Sequence, residues 1–357
     1  MAKSSKKTSK SSTPKASPGH DHGSIVSPEG YINVSQSKVN AWRKCRKMFY
    51  YKYILQIVPK RRRRPFAFGG IVHEMLEADF EGQDAFKVLK KIDLEEGKMF
   101  RKEREMYGDI IEDIRLIMKD YFDHYEGSLK PIEFKGRKSE HEFRIELEDG
   151  LWFTGRIDSM VKANKLKWLE EHKTFKRQPS EEDRWRSVQG ATYIRAMEMV
   201  GGPSLDGVLW DYISSKPLMV PGMLTKTGKV SQARIDSLPS AIKAWIKKEG
   251  HDKKQYTKLL TDAKENRSTR FVRVFAPVRP RVVDSIWNDF VQTAKEIHDL
   301  HRGDQPRTIG WGCRMCDYQA ICKAEVHGND VDFVIKAHYT AEDQSHKRDA
   351  SDRVSDD

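Results

Sequence analysis

Two carboxylates and an amine stand out by residue type and spacing. Asp158 lies in the segment GRIDSMV, and Glu171 and Lys173 lie in LEEHKTFK. Both segments read as β-strands, and Asn164-Lys165 between them reads as a tight hairpin turn. A turn there pairs residue 163 with 166, 162 with 167 and onward, so Asp158 falls opposite Glu171. Directly opposite residues share a face, with Cβ atoms roughly 5 Å apart. Lys173, two positions beyond Glu171, shares that face too. Two carboxylates and an ammonium at one point of a sheet suit metal-assisted phosphodiester hydrolysis. Hard oxygen ligands hold Mg2+ or Mn2+ with several waters still attached, and the ion acidifies a bound water. A lysine adds positive charge where negative charge develops. The same three residues could equally form salt bridges on an exposed strand. Leu151, Phe153, Ile157 and Leu169 argue instead for a buried sheet, where bare charges are costly.

A second constellation is made of thiols. The chain has four cysteines, Cys45, Cys313, Cys316 and Cys322, the last three spaced C-x-x-C-x-x-x-x-x-C. Disulfides are not expected in an intracellular chain. Four thiolates fit either a [4Fe–4S] cluster or a structural zinc site with four cysteine ligands. Either would pin the first ordered helix to the C-terminal segment.

These groups need elements to hold them. The strand predicted over 140–147, the turn at Glu148-Asp149-Gly150, and strands over 151–161 and 166–173 form a meander. Ser180 with Asp183 predicts a capping box that opens a helix running to about Val200 and ended by Gly201-Gly202. Residues 206–213 predict another strand. Before the meander, Ser37 precedes a helical pattern of Val39, Trp42, Phe49 and Tyr53, and IVHEMLEADF follows Gly69-Gly70 as a second helix. Residues 84–127 look helical. So do residues 237–302, apart from the strand-like RFVRVFAPV. Lys216 to Ala233 is a Gly-, Lys- and Thr-rich stretch, either a strand-handling loop or a linker.

The 357 residues carry 65 Lys and Arg against 53 Asp and Glu, a net charge of +12. Residues 1–24 (net +4) and 340–357 (net −3) have little to bury and read as disordered basic and acidic tails. The remaining +11 belongs to residues 25–339 and favours an anionic partner, nucleic acid being the commonest. The run Lys60-Arg61-Arg62-Arg63-Arg64 could hold DNA phosphates or be a solvated loop or a nuclear-localisation mimic. No apolar run reaches the roughly 20 residues of a membrane span, and the N-terminus lacks the apolar stretch of a secretory signal. The expected compartment is the cytoplasm. No G-x-x-x-x-G-K-[ST] loop is present, so any ATP-driven unwinding must come from elsewhere.

The strand G-x-x-D followed by E-x-K resembles the PD-(D/E)XK nuclease superfamily, and more narrowly its RecB/AddB-type branch, to which many phage exonucleases belong. Four further features carry the resemblance: GGIVHEMLE with His73, QGATY with Gln189 and Tyr193, the opening VSQSKVNAWRKCRKMFYYKY, and the closing CRMCDYQAIC. They occur in order over residues 33–325. The resemblance implies an α/β fold, a restriction-endonuclease-like core with a central mixed β-sheet flanked by helices. Its parts would be a helical portion (33–130), a catalytic core (138–215), a helical insertion (216–302) and a cysteine segment (303–330). It implies a Mg2+- or Mn2+-dependent DNA exonuclease for recombination, replication or end processing, phage-encoded and acting in a bacterial host. The alternatives are a non-catalytic DNA-binding subunit or a structure-specific endonuclease. By resemblance, His73, Asp158, Glu171 and the His172 carbonyl would ligate the metal, and Lys173 would serve catalysis. Gln189 and Tyr193, at i and i+4 on one helix face, would contact the region of the scissile phosphate and the end base. Cys45, Cys313, Cys316 and Cys322 would hold an iron–sulfur cluster, whose one-plus-three split matches that branch. A recombinase, helicase or single-strand-binding protein would be the natural partner. The side chains of Glu170 and His172 fall on the other sheet face and are given no catalytic role.

Overall fold

The computed structural model describes residues 31–60, 64–96, 110–222, 230–300 and 303–341. The basic tail, Arg61 to Arg63, the centre of the Lys216–Ala233 stretch and most of the acidic tail lie outside the described residues.

The predicted meander forms the centre of the molecule. Strands β4 (Ser139–Glu148), β5 (Leu151–Ala163) and β6 (Leu166–Phe175) are consecutive and antiparallel. Asn164 and Lys165 take φ of 52° and 65°, the left-handed pair that a two-residue hairpin turn requires. β7 (Gly207–Ser214) adds parallel to β6, and β8 (Phe271–Pro277) adds antiparallel to β7. Two short strands, β1 (Ile32–Val34) and β3 (Lys130–Pro131), pair with the two ends of β5. The result is a mixed seven-stranded sheet.

The helices cover both sides of it. The first, α1 (Gln36–Lys44), is capped by Ser35, not Ser37. It stops at Cys45, whose extended backbone (φ −168°, ψ 115°) separates it from α2 (Arg46–Phe49). A π-type turn, Tyr50–Ile54, follows, so the single helix expected over this stretch is broken at the cysteine. α3 (Arg64–Phe80) begins at the end of the basic run and takes Gly69-Gly70 into its body. α4 (Phe86–Glu96) and α5 (Ile110–Tyr125) account for the described part of the next helical region. The helix expected from Ser180 to Val200 is two helices: α6 (Glu181–Trp185), with the Ser180/Asp183 capping box, and α7 (Gln189–Met199). Gly201 (φ 73°) ends α7.

The proposed insertion divides in two. α8 (Pro239–Lys248), α9 (Thr257–Glu265) and the short α10 (Arg267–Arg270) stand beside the sheet. The rest, β8 and α11 (Pro280–His298), is the sheet edge and its covering helix, so residues 271–298 belong to the core. The cysteine segment runs on through α12 (Gln319–His327) and α13 (Val331–His338) to β9 (Tyr339–Ala341). β9 pairs antiparallel with β2 (Ile57–Pro59), which places residues 340 and 341 in a strand.

One apolar core lies between the sheet and α1, α7 and α11, built on Val39, Phe49, Phe153, Met197 and Phe290. A second joins α3 to α5 through Phe68, Val72, Met75, Ile114 and Met118. Leu151, Phe153, Ile157 and Leu169 are fully buried, as their strand positions require. Among the described residues no helix is long and apolar enough to cross a membrane.

Candidate active site

The β5–β6 hairpin keeps the expected register from Ala163–Leu166 to Ser159–Glu170. One step further, where Asp158 would face Glu171, the strands part. On that edge of β5, β6 takes residues 159–163 and β1 takes 151–153, so no paired strand covers the stretch between them. Asp158 fills part of the gap: its Oδ2 accepts the backbone N–H of His172 at 2.8 Å.

Three other elements aim side chains at this point. His73, in the middle of α3, sets Nδ1 3.6 Å from Asp158 Oδ1. Glu171 is fully buried, and Lys173 Nζ lies 2.8 Å from its Oε2. Gln189, at the start of α7, bridges the pair: its Nε2 donates to Glu171 Oε1 (3.1 Å) and its Oε1 accepts from Lys173 Nζ (3.3 Å).

Glu140 is a member the sequence reading missed. It sits in β4 between the pairs Ser139–Ser159 and His141–Ile157, which places it across from Asp158. A ligand oxygen of Glu140, one of Asp158 and a ring nitrogen of His73 all lie within 4.8 Å of one another. The signal was hidden by a bulge. From the turn, Glu148 pairs with Leu151, but Glu146 pairs with Trp152, so Leu147 is extra. Without that bulge His141 would face Asp158. Glu140 also has φ 50° and an ion pair with Arg156. Glu81, just beyond α3, accepts hydrogen bonds from Lys138 N, Ser139 N and Ser139 Oγ (3.0, 3.0 and 2.8 Å), tying down the chain that leads into Glu140.

Burial and charge set the protonation pattern. Burial opposes ionisation of Asp158, but His73, by charge and hydrogen bond, and Lys173 outweigh it and hold the carboxyl well below its ordinary range. Burial pushes Glu171 up, only partly offset by Lys173, and Asp158 adds to the rise. Burial likewise pushes Glu140 up to about 7, against Arg156. Desolvation would lower Lys173, yet Glu171 and Asp158 raise it, so it stays protonated.

The other expected residues fall differently. Tyr193 is buried, its ring packed against Phe143 and Phe153, with centroids 5.5 and 6.4 Å away. Arg64 pairs with Asp113 at the start of α3. Behind the site lies a buried polar network. His172 Nδ1 is 3.5 Å from Asp211 Oδ2, and Asp211 also takes Arg273 (3.2 Å) and the Tyr121 hydroxyl. Ser159 Oγ donates to Glu170 Oε2 at 2.6 Å. His172, Asp211 and Arg273 are direct neighbours across three strands. The carboxylates Glu170 and Asp211 outweigh the burial penalty and raise His172 to about 9.

The donor set fits a hard divalent ion. It offers one imidazole and carboxylate oxygens, with Asp158 held ionised. The cysteines gather elsewhere. Cys45 Sγ accepts Thr308 N at 3.4 Å, and Cys313 Sγ is 3.8 Å from Thr308 O. Cys316 and Cys322 pack together on Tyr51, Tyr318 and Ile321. All four are free thiols. A zinc tetrahedron with Zn–S of ~2.3 Å puts sulfurs about 3.8 Å apart. Among the described residues no group of three ligand atoms within 4.8 Å includes a cysteine sulfur. Buried Lys47 ties the same regions together, paired with Asp304 and, at 2.8 Å, with Glu325.

No curated protein matches the chain. Among solved structures, that of SSO0001 overlaps it at 11% identity and a TM-score of 0.28, over 71% of this chain and 84% of that one, too slight a likeness to carry an argument. The sequence pattern of a nuclease superfamily matches residues 33–323, a span holding all the residues described above from His73 to Cys322. Members of that superfamily are usually nucleases that use divalent metals on DNA, and the mixed sheet flanked by helices is consistent with a restriction-endonuclease-like fold. The chain belongs to the PD-(D/E)XK nuclease superfamily.

Proposed function

We propose that the protein is a metal-dependent DNA exonuclease of the RecB/AddB-type branch. In this reading it is phage-encoded, carries a [4Fe–4S] cluster on Cys45, Cys313, Cys316 and Cys322, and serves recombination, replication or end processing. The observation that carries the catalytic part is the meeting of Asp158, Glu171, Lys173 and Gln189 with His73 where β5 and β6 diverge. His73, Asp158, Glu140 and Glu171 would hold the ion, with the His172 carbonyl. When bound, the ion supplies an acidified water and neutralises charge at the scissile phosphate.

The chain's own residues do the rest. Asp158 stays ionised and keeps its charge for the cation. Lys173, paired with Glu171, offers a positive charge beside the scissile phosphate and would stabilise the charge that develops there. Gln189 restrains both partners, which fixes the ammonium without leaving Glu171 unpaired. Support for the cluster comes from the one-plus-three spacing of the cysteines, with Cys45 and Cys313 both at Thr308 and Cys316 and Cys322 both against the Tyr51–Tyr318 cluster.

Digestion of end-labelled linear and closed-circular DNA with Mg2+ or Mn2+, after anaerobic purification, tests this reading. An exonuclease degrades the linear form and leaves the circle intact. Cutting of the circle makes the protein an endonuclease, and no cutting of either makes it a DNA-binding subunit.

A further inference from the structure

Helices α8 and α9, joined through a short 3-10 turn (Lys253–Tyr256), pack on each other around Ile242, Ile246, Tyr256 and Leu259. Beside this small core opens a cleft of about 400 Å3, with Lys243, Lys253, Lys254 and Lys264 on its walls. All four lysines are exposed. None is in an ion pair among the described residues; the pairs of this region are made by Lys216, Arg234, Arg267 and Arg270. No carboxylate lines the cleft.

Four like charges around one concavity repel each other unless an anion lies among them. The hydroxyls beside them are already used: Thr257 Oγ1 donates to Lys254 O and Thr261 Oγ1 to Thr257 O. The cleft therefore offers spread positive charge without converging neutral donors. That matches an extended polyanion better than a single phosphate ion. Duplex DNA carries about one charge per 1.7 Å of its axis.

The helix pair is also fixed to α5. Asp120 Oδ2 on α5 accepts Ser240 N at 2.8 Å, and Ser240 Oγ donates to Leu116 O at 2.8 Å. α5 in turn packs on α3, which carries His73. We propose that this lysine-lined cleft holds the phosphate backbone of the substrate DNA at a distance from the scissile bond. This rests on the nuclease reading and gives the α8–α9 segment its role.

The test measures binding of a 30-base-pair duplex to the full chain against salt concentration, with Ca2+ in place of Mg2+. Lys243→Ala/Lys253→Ala/Lys254→Ala/Lys264→Ala is compared with the equal-charge control Lys87→Ala/Lys90→Ala/Lys162→Ala/Lys165→Ala, whose four sites are also exposed. With a slope of about 0.9 per phosphate contact, the cleft variant should lose roughly two to four units of salt slope and bind at least about tenfold more weakly at 0.15 M salt. The control should stay within about one unit of wild type. In cleavage assays the cleft variant should raise KM and leave kcat unchanged. A cleft variant with the wild-type slope, or two quadruple variants that fall alike, would overturn the assignment. Wild-type protein that binds DNA without cutting it would defeat the nuclease reading, while the comparison of slopes would still decide the cleft.

Discussion

Asp158 and His172 are joined at the point where the two central strands part, the carboxylate of one accepting the backbone N–H of the other at 2.8 Å. Asp158 is therefore both a charge for the metal and a replacement for a missing strand partner. Asp158→Asn keeps an acceptor for His172 N–H but not the charge, and Asp158→Ala keeps neither. Both should lose DNA cleavage. The alanine variant should be about 1–3 kcal/mol less stable than the asparagine variant, because an N–H is left unsatisfied. Equal melting temperatures for the two variants would contradict this double role.

Lys173→Ala should lower cleavage by about 10²–10³-fold or more while leaving the fold and most of the DNA affinity. Glu171 would keep Gln189 as a partner but lose the ammonium at 2.8 Å. Wild-type digestion of linear DNA by the purified variant would remove Lys173 from the site.

Glu140 gives the metal site a pH dependence. A carboxyl raised to about 7 is largely protonated below that pH and must lose its proton to ligate. Mn2+ affinity of the metal-free protein should therefore climb as pH rises from 6 toward 8. Glu140→Gln should weaken binding by about tenfold or more and flatten this climb. Calorimetric titrations at three pH values read both effects; an unchanged profile in the variant would take Glu140 out of the ligand set.

Glu81 links helix α3 to the strand that carries Glu140. Although partial burial works against it, three hydrogen bonds from Ser139 and Lys138 hold its carboxyl below the ordinary range. A depressed folded-state value contributes stability that is present above the ordinary glutamate value of ~4.3 and is lost as pH falls through the depressed one. Glu81→Gln should cost about 1–2 kcal/mol at pH 7. The gap to wild type should narrow as melting is followed from pH 5 down to 3.

Cys45→Ala should destabilise more than single exposed changes do, which stay within about 0.5 kcal/mol. Wild-type protein purified without oxygen should be brown, with iron and sulfide, and the variant should be bleached. A colourless wild type with one zinc per chain would replace the cluster by a zinc site.

The hairpin that brings Asp158 toward Glu171 was legible because a two-residue turn fixes register by counting. The neighbouring hairpin was not, because the bulge at Leu147 shifts the count by one and swaps His141 for Glu140 opposite Asp158. Helix Ser180–Val200 was read from its caps at both ends, which are present. Its interior break at 186–188 leaves no mark in caps or periodicity. Tyr193 is grouped with Gln189 by the resemblance of QGATY to the family motif, and its ring follows the apolar side of α7 into the core. The network of Tyr121, Asp211 and Arg273 draws on a helix and two strands separated by 90 and 62 positions, which no local pattern could join.

Strand Ile57–Pro59 closes onto Tyr339–Ala341, and Lys47 is held between Asp304 and Glu325. During synthesis the meander from Ser139 to Phe175 can form from neighbouring residues alone. Tyr51, in the turn after α2, must wait with its ring bare until Tyr318 and Tyr339 leave the ribosome. Contacts of such long separation form slowly, so that interval is when the nascent chain is most exposed to aggregation and proteolysis. A chain stopped before residue 304 would keep its catalytic strands and lose the partners of Lys47, Tyr51 and β2.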